Sequence, residues 1–291
     1  MVKNTKRIPK VIHYCWFGGN ELSESAMKCI DSWKKYCPDY EIIEWNESNF
    51  DINISLYTRE AYKEKKWAFV SDYARFWILY NFGGIYLDTD VELIKPIDDI
   101  VDSGPFFGYE LTHNLLLKLN DNATFSESFV APGLGMASYP NHPFYNEILD
   151  YYNSKSFYKK DGDIDMLNVV QITTSLLSRK GKLNVGKITK IDDITIYPPE
   201  FFCPKNYFTE EILITNNTRS IHHYSATWKG KNEKNELVLL RKFSDFFGEW
   251  MGIYIWKLYV KSYKVVRLIH DEGIKPTFVK IYRKINKSYE K

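Results

Sequence analysis

Residues 71–91 read SDYARFWILYNFGGIYLDTDV, and the fold turns on this stretch. Tyr73, Phe76, Trp77 and Tyr80 fall three or four positions apart, the period of a helix with a buried face. Phe69 continues the same stripe backwards, so the spacing predicts a helix over 66–82 that stops at Gly83-Gly84. Immediately after the glycines comes IYLD, a short apolar strand running into an acidic turn. In an extended chain, positions i and i+2 point to one side, so Asp88 and Asp90 can approach a single hard cation together. Acidic pairs are common in turns. This one stands out because it ends a buried strand, where open α/β sheets bind their ligands. The helix adds Asp72 and Arg75 on one face, with Ser71 four positions before the arginine. Charges in so apolar a helix read as inward-facing. A guanidinium suits phosphate or sugar oxygens, and a carboxylate suits paired sugar hydroxyls.

Upstream, residues 10–17 form a β-rich apolar run closed by Gly18-Gly19, which reads as a buried strand opening into a loop. Ser23 can cap a helix through Trp33, Pro38-Asp39 breaks it, and 40–45 reads as a second strand, giving a β-α-β start. Downstream, 91–100 is expected as a strand or extended segment and 105–108 as a short strand. The run APGLGMAS at 131–138 is expected as a loop, because small residues and glycines make a poor helix. Helices are expected over 141–152 and 163–179, a strand over 188–196, and a strand end running into a loop over 220–228. The expected class is α/β.

The chain has 291 residues, enough for one α/β domain with additions. Its net charge of only +2 argues against a chain built chiefly to neutralise nucleic-acid phosphates. The four cysteines show no Cys-x-x-Cys spacing, so reduced thiols in a cytoplasmic protein are expected and a zinc site is not. No apolar run reaches the length of a signal peptide or a bilayer span, which predicts a soluble or peripheral protein. From Leu237 the composition shifts: Trp250, Tyr254, Trp256, Tyr259 and Tyr263 interleave with Lys257, Lys261, Lys264 and Arg267. The division expected is therefore 1–236 as the α/β domain and 237–291 as a basic, aromatic helical tail. Such a tail either packs with a solvated lysine face or contacts the inner face of a membrane, where cations and interfacial aromatics favour anionic lipid.

The string from Ser71 to Val91, a Ser-Asp-x-x-Arg helix leading through Gly-Gly-x-Tyr into Asp-x-Asp, resembles the glycosyltransferases with the Asp-x-Asp sugar-binding region, family thirty-two. That family includes fungal initiating mannosyltransferases and bacterial capsule enzymes. The chain is similar also to the sugar-transferring domain of the large clostridial toxins, with the same sixteen-residue step from Asp72 to Asp88. IPKVIHYCWFGG resembles the family's opening strand, which implies that Trp16 stacks on the donor base. IHHYSATWK resembles the closing His-rich segment, with Thr227 in place of the usual serine. This implies a histidine ligand to the metal, for which strand alternation leaves His222 or His223 and His223 is favoured, and it places Trp228 near the β-phosphate.

The resemblance implies a GT-A, Rossmann-like fold with a C-terminal helical extension. It also implies retaining transfer of a hexose from a nucleotide-sugar, expected to be UDP-linked, to a glycan acceptor that is lipid-linked if the tail meets membrane. Manganese, or magnesium, would be held by Asp88, Asp90 and His223. Ser71, Asp72, Arg75 and Tyr86 would join Trp16, Asp88 and Trp228 around the donor, with Asp72, Arg75, Asp88 and Asp90 carrying the chemistry. A Lys-, Asn-, Ile- and Tyr-rich composition points to an AT-rich bacterial genome and hence to capsule, exopolysaccharide or lipopolysaccharide synthesis. The rival reading is a phosphohydrolase of the haloacid-dehalogenase type, since LDTDV fits that family's strand end as well. Against it, 87 residues precede Asp88, whereas that fold puts its motif on the first strand.

Overall fold

The computed structural model describes residues 6–110, 129–165, 167–206 and 210–225, with scattered positions between 238 and 262. The chain divides into two compact units, Met1–Trp228 and Lys229–Lys291. In the second, the described positions are largely helical and include exposed Phe246, Met251, Tyr254 and Leu258.

The first unit opens as β1 (Val11–Cys15), α1 (Glu24–Tyr36) and β2 (Glu41–Trp45), followed by α2 (Leu56–Lys63), α3 (Trp67–Phe82), β3 (Gly84–Tyr86) and β4 (Val91–Leu93). Ser23 caps α1 by accepting the Ala26 N–H, as its place before the apolar period leads one to expect. Then come α4 (Asp98–Asp102), β5 (Phe106–Glu110), β6 (Phe129–Val130), a 3-10 turn (Pro132–Leu134), β7 (Met136–Ser138), α5 (Pro143–Asn153) and α6 (Val169–Lys180). The unit closes with β8 (Thr189–Ile191), β9 (Ile194–Tyr197), α7 (Pro199–Phe202) and β10 (Ser220–His222).

Seven strands run β2-β1-β3-β7-β5-β9-β8, with β6 added on β5, while β10 and β4 form a separate antiparallel pair. β1 lies parallel to both β2 and β3, so the carboxyl ends of β1 and β3 open at one edge, with Trp16 just past the first and Asp88 just past the second. Alternation along the short central strand decides what each side sees. Ile85 and Leu87 enter the core under α1, whereas Tyr86 enters the core under α2, α3, α5 and α6. Helix α3 is the principal buried helix of that second layer, with Phe76, Ile78 and Leu79 fully buried. Each such side chain contributes about 1.5–3 kcal/mol of transfer free energy. Its end is sharp because Gly83 and Gly84 both adopt positive φ, +66° and +95°, and a Cβ on Gly84 would lie 2.7 Å from the Val11 carbonyl oxygen.

Several sequence expectations require correction. The stretch 131–138 is not a loop: Met136–Ser138 is a buried strand between β3 and β5, joining two parallel pairs through antiparallel contacts. Its residues are too small for a propensity signal; neighbours on both sides make it a strand. The segment 91–100 shortens to β4 and continues as α4 after Pro96, and 188–196 is a hairpin rather than one strand. The helix expected from 163 begins only at Val169, where Asn168 and Gln171 form a reciprocal cap. Helices α2 and α7 carry no expectation from the sequence.

Candidate active site

Arg75 is the hub of the site. Its Nη2 lies 3.0 Å from Asp72 Oδ1 and 3.3 Å from Asp88 Oδ1, and its Nε donates to the Ser71 carbonyl at 3.1 Å. The guanidinium carbon rests 4.9 Å from the centroid of the Tyr86 ring, and the Tyr86 hydroxyl donates to Asp88 Oδ1 at 3.1 Å. The Arg75 and Asp72 side chains are only 5% and 9% exposed against 30% for Asp88, so the aspartate is the open end of the cluster. The spacing of Ser71, Asp72 and Arg75 therefore does bring one face of α3 to the strand end. The Ser71 hydroxyl, however, donates to the Trp67 carbonyl within the helix, and it is the serine's carbonyl that reaches Arg75. Burial pushes the Asp72 carboxyl up to about 7, with Arg75 pulling the other way and Asp88 adding to the rise. Burial likewise raises Asp88, against the opposing pull of Arg75.

Asp90 has different partners. Its Oδ1 is 3.1 Å from His222 Nε2, its Oδ2 accepts the Ser225 N–H at 2.9 Å, and its carbonyl accepts the His223 N–H at 2.9 Å. Burial alone would raise its pKa, but His222 and the Ser225 amide outweigh that and hold it down to about 2. On His222 the same pair acts in reverse: burial disfavours the charged ring, and Asp90 more than compensates, so its pKa lies above the ordinary 6.5.

The histidine expected at the metal was His223, and the structure brings His222 there instead. His223 turns away to Glu92, with Nε2 2.8 Å from Oε2. Alternation places two neighbouring histidines on opposite faces but does not say which face is which. The register of β10 on β4, with His222 opposite Val91, decides it. One ligand atom from each of Asp88, Asp90 and His222 lies within 4.8 Å of the others. The ring nitrogen that faces Asp90 is Nε2, while the buried Nδ1 of His222 has no hydrogen-bond partner among the described residues. Two oxygens and an imidazole fit magnesium or manganese, the imidazole favouring manganese.

Trp16 follows β1 at the same edge of the sheet; its indole N–H donates to the Asn20 carbonyl at 2.7 Å, which fixes the ring. Thr227 and Trp228 lie outside the described residues. The site also uses a residue the sequence reading passed over. Gly133 accepts the Asp88 N–H through its carbonyl at 3.2 Å, and a Cβ at this position would overlap Asp88 Oδ2. The signal was present in APGLG, where a glycine marks a close approach, but nothing local said what approaches it.

A mixed α/β sheet with an Asp-x-Asp at the end of a central strand, a buried Arg–Asp pair beside it and a histidine on the far side is the arrangement that the resemblance to the Asp-x-Asp glycosyltransferases leads one to expect. Residues 23–107 match the family model described as glycosyltransferase sugar-binding region containing DXD motif. It is 27% identical over 215 residues to an uncharacterized glycosyltransferase, L373, of Acanthamoeba polyphaga mimivirus, covering 70% of this chain and 76% of the relative. It is 26% identical over 168 residues to inositol phosphoceramide mannosyltransferase 1 of Schizosaccharomyces pombe, covering 53% of this chain and 46% of that protein. Among solved structures it is similar to the PaToxG glycosyltransferase, with 20% identity, a TM-score of 0.42, and coverage of 60% of this chain and 70% of that one. These relatives are viral and fungal, and the expectation of a bacterial capsule enzyme finds no support in them. The phosphohydrolase reading is likewise unsupported: the matched region is the sugar-binding one, and the motif follows the third strand in chain order.

Proposed function

We propose that the protein transfers a hexose from a nucleotide-sugar to a glycan or glycolipid acceptor with retention of anomeric configuration, using manganese or magnesium held by Asp88, Asp90 and His222. The observation that carries this reading is the convergence of those three side chains at the open end of a buried Arg75–Asp72 pair. Bound there, the cation supplies neutralisation of the negative charge that grows on the departing diphosphate. The rest falls to the chain itself. Arg75 adds a fixed positive charge that needs no reorganisation, because both carboxylates and the Ser71 carbonyl already orient it. Asp72, its carboxylate beside that guanidinium, accepts hydroxyls of the donor sugar. Trp16, at the end of the neighbouring strand, stacks on the base. The bond from the anomeric carbon to the β-phosphate oxygen breaks while the acceptor oxygen bonds on the same face, and the acceptor proton passes to the departing phosphate oxygen.

The fungal relatives favour mannose as the hexose, and the inositol phosphoceramide in their names favours a lipid-borne acceptor. A lipid acceptor agrees with the exposed Phe246, Met251, Tyr254 and Leu258 of the second unit, through which we place the enzyme at the inner face of a membrane. Among the described residues no helix is long and apolar enough to cross one. The test is a panel of UDP- and GDP-hexoses assayed for metal-dependent hydrolysis and transfer, with the product's anomeric configuration read by NMR. Asp90→Ala is expected to lower turnover about 10³-fold or more at a temperature where circular dichroism shows the variant still folded. A variant that keeps most of its activity at saturating metal would overturn the assignment. Liposome association that is unaltered by deleting residues after about 240 would remove the membrane part.

A further inference from the structure

Tyr224 has no part in the reading above, yet it is the residue on which the far half of the site bends. It adopts φ +55°, the left-handed region that L side chains other than Asn and Asp rarely enter. Either side of it, the chain grips one aspartate: His222 Nε2 lies 3.1 Å from Asp90 Oδ1, and the Ser225 N–H reaches Asp90 Oδ2 at 2.9 Å. An extended residue at 224 would carry Ser225 onward along the strand direction; the left-handed turn folds it back onto Asp90. The Tyr224 ring meets the His222 ring edge to face, with centroids 4.3 Å apart and planes at 67°. Its hydroxyl lies 2.8 Å from Cys203 Sγ, just past α7, and hydrogen-bonds the Glu110 carboxylate at the end of β5. A tyrosine hydroxyl has one proton and two lone pairs, so it can donate to the carboxylate while it accepts from the thiol.

We propose that Tyr224 is a positioning residue for the cation site, holding the His222 ring and the Ser225 amide on Asp90 through an anchor made by Cys203 and Glu110. This rests on the reading of Asp88, Asp90 and His222 as the cation ligands. Partners that orient a ligating histidine commonly matter 10–100-fold in metal affinity although they never touch the metal. The strained backbone agrees with such a role, since strain of this kind persists where surrounding contacts over-determine it.

The experiment titrates Mn²⁺ into the full chain in the presence of UDP or GDP, following free Mn²⁺ by electron paramagnetic resonance, with the melting temperature of the metal-free protein as a second readout. Tyr224→Phe keeps the ring and loses the anchor, and the Mn²⁺ Kd is expected to rise about 3–10-fold. Tyr224→Gly relieves the backbone but removes the ring, and a rise of about 10–100-fold is expected. Cys203→Ala should resemble Tyr224→Phe, while Cys203→Ser, which restores a donor, should return towards the wild-type Kd. Wild-type affinity in Tyr224→Phe and Tyr224→Gly, with Asp90→Ala binding no Mn²⁺, would overturn the role of Tyr224 and leave the cation site standing. Affinity losses that merely follow a fall in melting temperature, with no rescue by Cys203→Ser, would make Tyr224 a packing residue and sink the proposal. If the wild-type chain bound no Mn²⁺ with either nucleotide, the reading of the site itself would fall, and this inference with it.

Discussion

Asp88 and Asp90 stand two residues apart, yet opposite regions of the first unit hold them. Asp88 belongs to the α3–β3 side: it shares Arg75 with Asp72, accepts from Tyr86 and leans on Gly133. Asp90 belongs to the β4–β10 side, gripped by His222, Ser225 and, through its carbonyl, His223. The first region is a buried ion cluster of fixed geometry, whereas the second is a clasp assembled from a chain segment more than 130 positions away. A strand end can thus split its work. One carboxylate is tied to the buried Arg75–Asp72 pair and the other to His222 and the Ser225 amide, so the two can be perturbed separately.

The largest separation is expected from Arg75→Ala, which strands Asp72 and Asp88 without their cation. Breaking a buried pair from one side costs about 3–5 kcal/mol, so chemical denaturation should show a loss of that order together with loss of transfer. Arg75→Lys should recover little, because the planar guanidinium reaches the Ser71 carbonyl through Nε and both carboxylates through Nη2, a spread that one compact ammonium on a flexible stem does not reproduce. A stability within 1 kcal/mol of wild type for the alanine variant would show that the cluster is not buried as described.

Next comes Gly133→Ala, which touches only the Asp88 side. The added methyl overlaps Asp88 Oδ2 and must displace it. A stability loss of about 1–3 kcal/mol is expected, with turnover reduced about 10-fold or more and the His222–Asp90 contact intact. Unaltered kcat/KM would remove Gly133 from the site.

The Asp90 side is separated by pH. In the metal-free protein, His222 has a folded pKa above 6.5, so its pairing with Asp90 stabilises the fold fully below 6.5 and that contribution is lost as pH rises past the raised value. A divalent ion needs the unprotonated ring, so its binding strengthens over the same interval. Melting temperature should therefore fall with pH for this contribution without metal, while the gain on adding Mn²⁺ grows. The opposite pH trend in that gain, or the same trend in His222→Asn, would place the ion elsewhere.

The smallest effect is expected deep under α3. Tyr57 and Tyr152 pack ring to ring at 4.8 Å, both buried, and neither hydroxyl has a hydrogen-bond partner among the described residues. Tyr152→Phe removes an unsatisfied hydroxyl, so stability should be unchanged or rise by about 1 kcal/mol. A clear loss in thermal or denaturant unfolding would show that this hydroxyl is engaged in the folded protein.

Residues 66–90 alone carry the helix, its glycine stop, the strand and the paired aspartates, and with them Asp72 and Arg75 on the inward face. All of these depend on interactions within a few positions: a 3.6-residue period, a positive-φ stop and a two-residue alternation. What tertiary structure alone decided lies where a partner is distant. Met136–Ser138 became a strand because β3 and β5 flank it, and Gly133 became part of the site because Asp88 presses on it. His222 rather than His223 meets Asp90 because antiparallel pairing with residues 91–93 sets the face each side chain takes. Alternation is a local property, but its phase belongs to the pair of strands, and no single segment contains it.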